Sequence, residues 1–213
     1  MSEPADPQKV LTTLTTEHFT LQGARSQTTF ESSARGGLYL GAVSSALIAI
    51  GLIADDRETF EVFSLVVLPT LYFLGLVTFI RLVESSIEDL FYGRAINRIR
   101  HFYVELAGED SRYFQMGAHD DVLGVVRNMG LMGRGASRFQ LFFAMAVSIG
   151  VVNSVVGGSA VALLASIALD ASLGVAAACG AVFALGSVVL HVRYDRGRHT
   201  AAADLVEPLF PSP

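Results

Sequence analysis

Charge is scarce in this sequence, and its scarcity is uneven. Only 16% of the 213 residues are charged, against about 25% in an ordinary soluble domain, which leaves too little charge to clothe a water-facing surface. Four runs carry no Asp, Glu, Lys or Arg at all: Gly36–Ala54, Val62–Ile80, Phe139–Leu169 and Ala171–Val192. Cysteine is almost missing too. The single Cys179 lies in an apolar run and excludes an internal disulfide framework and a cysteine-ligated zinc site. Lysine occurs once, at Lys9, beside 14 arginines, a skew that reads as GC-rich codon usage. The net charge of −5 argues against a nucleic-acid partner held by phosphate contacts.

Catalytic patterns are equally hard to find. There is no HExxH zinc helix and no GxSxG elbow. The GRGAS at 133–137 lacks the Lys-Ser/Thr of a P-loop and follows no strand pattern. Glu88 and Asp89 are adjacent, so they cannot share one helix face as a catalytic pair. His119, Asp120 and Asp121, with His101 and Glu105 elsewhere, are read as a solvated helix start in preference to metal ligands. No catalytic residue, cofactor or metal is expected, and the chain is read as non-enzymatic.

What is present is membrane-length helix. A hydrocarbon core of about 30 Å needs roughly 20 apolar residues in a helix, and the four runs have 19, 19, 31 and 22. The expected fold is an all-α polytopic membrane protein: four transmembrane helices with a small helical cytoplasmic layer. Its segments are a cytoplasmic N-terminal part (1–35), a first transmembrane hairpin (36–80, spans 36–54 and 62–80), a cytoplasmic helical loop (81–138), a second hairpin (139–192, spans 139–169 and 171–192) and a cytoplasmic tail (193–213). The first apolar run starts only at Gly36, so no cleavable leader is expected. The loop 55–61 holds one basic residue, Arg57; the other 14 lie before span one, in 81–138, or after span four. Basic residues accumulate on the cytoplasmic side, which puts both termini and the long loop there, in the plasma membrane.

After span two the charge returns without an end to the helical period. Ile80, Val83, Ile87, Leu90 and Phe91 recur at three- and four-residue steps, and after a slip Tyr92, Ile96, Ile99, Tyr103 and Leu106 do so again. This is an apolar stripe on a polar helix, with Ile87, Phe91, Ile96, Ile99 and Tyr103 as the candidate assembly surface and Gly93 as a flex point at the slip. A thinner stripe (Leu11, Leu14, His18, Leu21) precedes span one. Thr28 and Glu31 have capping-box spacing. Asp120 and Asp121 stand where acids favour a helix start, ahead of Val122. The glycine-rich 129–138 reads as a loop returning to the membrane.

Within the spans, Asn153 is the one strong polar group far from an end. Its default use is an interhelical hydrogen bond to Ser44, Ser45, Thr70, Tyr72 or a symmetry-related Asn153; the sharper alternative is a pore lining. His191 is placed at the cytoplasmic end of span four, capping the helix in the interface. Pro69 should kink span two. Span three is too long for one straight crossing, so it either protrudes, the favoured reading, or breaks near Gly157 and Gly158. Small residues at four-residue spacing (Gly41 with Ser45, Ala42 with Ala46, Gly150 with Ser154, Ala176 with Gly180) permit close helix approach.

The stretches LTTEHFTLQGARSQTTFESSARGGLYLGA (14–42) and RLVESSIEDLFYGRAINRIRHFY (81–103) resemble uncharacterised small integral membrane proteins of actinobacteria, over most of the chain. That resemblance implies a four-span fold and no activity. More loosely, membrane helices joined to cytoplasmic helices are similar in architecture to the small membrane effectors of bacterial nucleotide-triggered defence systems, with no motif carried over. The expectation is a lipid-embedded homo-oligomer whose cytoplasmic helices assemble subunits or receive a signal, with a pore between or within subunits left open and the ligand unknown. A secondary transporter subunit is the alternative, and an enzyme at the cytoplasmic interface a further one.

Overall fold

The computed structural model describes residues 6–130 and 145–213. Among them are five α-helices and no strand: α1 (Pro7–Leu52), α2 (Arg57–Ala107), α3 (Val122–Asn128), α4 (Met145–Ala168) and α5 (Leu173–Ala203), with a short 3-10 helix at Gly108–Tyr113. Aspartates start three of them. Asp6 accepts the Gln8 N–H at 3.0 Å ahead of Pro7, Asp56 accepts the Thr59 N–H at 3.3 Å and its hydroxyl at 2.6 Å, and Asp121 accepts the Gly124 N–H at 2.9 Å. Each carboxylate satisfies donors that a helix N-terminus leaves free. Between α4 and α5 the chain turns through Asp170, whose φ of 49° is left-handed. The Ala171 N–H closes back on Ala165 O at 3.3 Å, and Asp tolerates that conformation better than most side chains.

Four helices, α1, α2, α4 and α5, are long and apolar enough to cross a membrane. The all-α, multi-span reading therefore stands, and several boundaries move. Span one is the C-terminal part of a 46-residue helix that is already helical at Pro7. Thr28 is thus mid-helix, donating its hydroxyl to Ala24 O at 3.1 Å, and is no helix start. Helix α2 runs unbroken for 51 residues from span two through the charged stripe, with Pro69 inside it. Helix α4 is helical through Gly157 and Gly158, so span three has no break there. Its expected first residues, 139–144, and most of the expected loop, 131–138, lie outside the described residues. Helix α5 continues to Ala203, well beyond the Val192 that closes the uncharged run, so the expected tail is half helix.

The chain divides into two compact units. Unit 1 comprises 1–31, 85–140 and 200–213; unit 2 comprises 32–84 and 141–199. In unit 1 the N-terminal half of α1 pairs with the later half of α2. Arg25 grips the Asp89 carboxylate with two nitrogens at 2.7 and 3.0 Å, and the His18 and Tyr103 rings meet edge-on at 5.5 Å. Ile87, Ile96 and Ile99 are buried, while Phe91 and Tyr103 are half-buried. The period slip at Gly93 serves packing. A Cβ there would meet Val125 Cγ1 of α3 at 2.7 Å, so only glycine admits α3 so closely. Ile80, expected on the same stripe, is exposed.

Unit 2 assembles the apolar segments of α1 and α2 with α4 and α5. Its buried side chains include Tyr39, Leu71, Phe79, Ile149 and Ala176, whereas Leu47, Ile48, Phe73, Val182, Leu185 and Leu190 are exposed. Helices α4 and α5 touch backbone to backbone. A Cβ on Gly158 would lie 2.6 Å from Gly180 O, and one on Gly180 would lie 2.5 Å from Gly158 O. Gly157 makes room for aromatic rings instead, since its Cβ would meet Tyr72 at 2.6 Å and Phe183 at 2.7 Å. The two glycines offered as the alternative break point are instead places of close packing.

Candidate functional site

Two polar centres stand out, one in each unit. In unit 2 the groups converge on α4. The Tyr39 hydroxyl donates to Asn153 Oδ1 at 3.0 Å, and both residues are essentially inaccessible, at 1% and 0% exposure. Gly75 of α2 makes this contact available: a Cβ there would stand 2.0 Å from Asn153 Oδ1 and 2.7 Å from the Tyr39 hydroxyl. The partner of Asn153 is thus Tyr39 on the first span of its own chain, and not Ser44, Ser45, Thr70 or Tyr72. Its Nδ2 has no partner among the described residues. Asn153 is fully buried within its own chain.

One residue further along α4 a second polar group begins. The Ser154 hydroxyl lies 2.7 Å from Gly150 O and 3.0 Å from Ser187 Oγ, and the Tyr72 hydroxyl is 3.4 Å from Ser187 Oγ. His191 completes it: Nδ1 is 2.7 Å from Ser187 O, and the ring packs edge-on against Phe79 at a centroid distance of 4.4 Å. The geometry assigns the Nδ1–H tautomer, with Nε2 buried and unpartnered among the described residues. His191 is 7% exposed and lies three turns before the end of α5, so it does not cap a helix at the interface. It is an interior group, and a cavity of about 10 Å³ beside it, lined by Phe79, Gly150 and valines, is too small for more than one water molecule.

Unit 1 is organised around Asp120, which is 0% exposed and so is not the solvated residue expected. Its carboxylate accepts the backbone N–H groups of Leu209 at 3.1 Å and Phe210 at 2.8 Å, and pairs with Arg98 at 2.7 Å. Burial alone would raise its pKa, but the Phe210 and Leu209 N–H groups and the Arg98 guanidinium outweigh that and hold it below the ordinary value. Arg94, 3% exposed, spends its donors on carbonyls: Asp120 O at 2.9 Å, Ala203 O at 3.5 Å, and Val206 O. Ser212 donates to Asp121 at 2.8 Å, and Phe210 stacks on His101 at 3.6 Å. Together these tie the segment 204–213 down as a strap across α2 and the α3 entry. His101 also pairs with Glu105 at 3.5 Å. His119 gives its carbonyl to Asn97 at 2.8 Å. Among the described residues no group of three or more His, Cys, Asp or Glu is placed to hold a metal.

The sequence reading found Asn153 but missed the strap, the Arg94 and Arg98 donors, and the interior role of His191. A signal for His191 existed: Gly180, Ser187 and His191 recur at seven and four residues, one helix face. Comparison with family models, with curated proteins and with solved structures returns no match.

Proposed function

We propose that this chain is a non-enzymatic integral protein of the plasma membrane that works as a homo-oligomer, with both termini and unit 1 on the cytoplasmic side. Unit 2 is then the lipid-embedded bundle, and unit 1 a helical module that assembles subunits or receives a signal. One observation carries this reading: the outer face of unit 2 is apolar and its polar groups lie inside. Unit 2 turns Tyr39, Asn153, Ser154, Ser187 and His191 inward and leaves leucine, valine and phenylalanine outward, which hydrocarbon solvates well and water does not. Unit 1 is laced by charged pairs such as Arg25–Asp89 and Arg98–Asp120.

Orientation follows from 14 of 15 basic residues lying on one side of the spans. The homo-oligomer is supported by Gly37, Gly41 and Ser45, a four-residue rhythm of small groups on an exposed face of α1. A Cβ on either glycine would meet nothing within 4 Å, so a second helix can approach closely there. No conducting path belongs to the proposal, because Asn153 and His191 are sealed inside their own chain. The test is the mass of the detergent-solubilised particle by light scattering. A defined multiple of the subunit that falls to monomer in Gly37→Ile/Gly41→Ile is expected. A wild-type monomer would overturn the assembly reading.

A further inference from the structure

Unit 1 also holds a cavity of about 420 Å³, within the range of about 300–1,000 Å³ typical of small-molecule sites. One turn of α1 (Thr15, His18, Phe19), one turn of α2 (Arg100, Tyr103) and the segment 113–116 wall it. No carboxylate is among the lining residues, and Arg100 is the one that carries a formal charge. The neighbouring arginines of α2 are engaged, Arg94 and Arg98 by the strap and Asp120. Among the described residues Arg100 has no hydrogen bond or ion pair. Its burial lowers its pKa from the ordinary value, as expected for a guanidinium drawn from water without an anion to compensate it. In a chain of net charge −5, an acid-free cavity around a free arginine is out of character with the rest.

His18 forms part of the cavity wall. Its Nε2 lies 2.7 Å from Gln22 Nε2, which makes Nε2 the acceptor and places the ring proton on Nδ1, and Nδ1 is buried without a partner. Burial, and then the charge of Arg100, lower the His18 pKa. Tyr103 and Thr15 add hydroxyls, 3.4 Å apart. The rim is aromatic and open: Phe19 is 67% and Tyr113 is 75% exposed. The Arg112 guanidinium sits 5.1 Å from the Tyr113 ring centre.

We propose that this cavity binds a small organic oxyanion, a phosphate or carboxylate on a planar apolar body. Arg100 takes the oxyanion as a charge-assisted donor, and the Phe19 and Tyr113 rings cover the body. This deepens the reading of unit 1 as a receiver, and it stands or falls on binding alone, whereas the assembly reading is tested by particle mass.

The experiment titrates the purified full chain, in phosphatidylcholine nanodiscs at neutral pH, with phenyl phosphate, inorganic phosphate and phenol by calorimetry. One saturable site per subunit for phenyl phosphate, tighter than for either fragment, is expected. Arg100→Gln should weaken it by about tenfold, the loss of a hydrogen bond to a charged group. Arg100→Lys should recover part of the affinity, with an unchanged melting temperature in both variants. Adding phosphatidylglycerol to the discs identifies the source: competition means that a lipid headgroup is the resident anion, and its absence means a soluble one. Absence of saturable binding up to millimolar phenyl phosphate, or binding that is indifferent to Arg100→Gln, overturns the proposal.

Discussion

Gly158→Ala tests the backbone-to-backbone contact of α4 and α5 in unit 2. The added Cβ would stand 2.6 Å from the Gly180 carbonyl oxygen and 2.9 Å from Ala184 Cβ, where ordinary contact begins at 3.4 Å. The obstacle is backbone, which cannot rotate away as a side-chain tip can, so α4 and α5 must part by about 0.8 Å, the gap between 2.6 and 3.4 Å. A gap of about 0.5–1 Å forfeits a quarter to a half of each van der Waals well along the seam, and overpacking of this kind costs about 1–3 kcal/mol. Alanine gains about 1 kcal/mol over glycine in helix propensity, which would blur the raw value. Gly186→Ala, on α5 with nothing within 4 Å of its Cβ, carries the same gain and none of the clash. The difference between the two variants therefore isolates the contact. In denaturation from mixed micelles, Gly158→Ala should be about 1–3 kcal/mol less stable than Gly186→Ala. Adding Gly180→Ala should cost less than its own single value, because one separation relieves both clashes. Equal stability of Gly158→Ala and Gly186→Ala would refute the close α4–α5 approach.

Two further perturbations probe the polar centres. Asp120→Asn should destabilise the protein by about 2–3 kcal/mol at pH 7, hydrogen bonds to a charged group being worth about 1.5–3 kcal/mol each. Since folding lowers the Asp120 pKa from 3.8, its contribution is present above that value and lost as the pH falls through the folded one. The stability gap between wild type and Asp120→Asn should thus begin to narrow below about pH 4, and a gap independent of pH would show that the carboxylate charge is not what holds the strap. Within unit 2, Tyr39→Phe removes the donor to Asn153 and should cost about 0.6 kcal/mol, the mean for hydrogen bonds between membrane helices. Gly75→Ala should cost more, since its Cβ would fall 2.0 Å from Asn153 Oδ1. The reverse order, read by the same denaturation, would mean that Asn153 does not sit against α2.

The helices that could cross a membrane were legible because lipid imposes a length and a lack of charge, and both are local properties of sequence. The stripe was legible for a similar reason, since Ile87, Ile96 and Ile99 obey the helical period and are buried. What escaped is long-range. Asp120 meets Leu209 and Phe210 across 89 and 90 residues, and no local pattern announces that a carboxylate will be spent on distant backbone. Glycine was ambiguous at two places for one physical reason: the residue that frees a backbone also admits a neighbour. At Gly93 and Gly158 the second use governs, and only the partner, Val125 or Gly180, reveals it. His191 was misplaced because the end of the uncharged run at Val192 was taken as the end of the buried helix, whereas α5 runs on to Ala203.

The central claim is that the chain crosses the membrane with its basic segments on one side. In a Cys179→Ala background, because Cys179 is exposed on α5, single cysteines are placed at Glu58, beside the exposed turn between α1 and α2, and at Ser111 in the 3-10 helix of unit 1. Intact cells are treated with a membrane-impermeant thiol reagent before and after permeabilisation. Glu58→Cys should be labelled on intact cells, and Ser111→Cys only after permeabilisation. Labelling of Ser111→Cys on intact cells, with Glu58→Cys protected, would contradict the orientation, and equal labelling of both would contradict the membrane crossing that separates them.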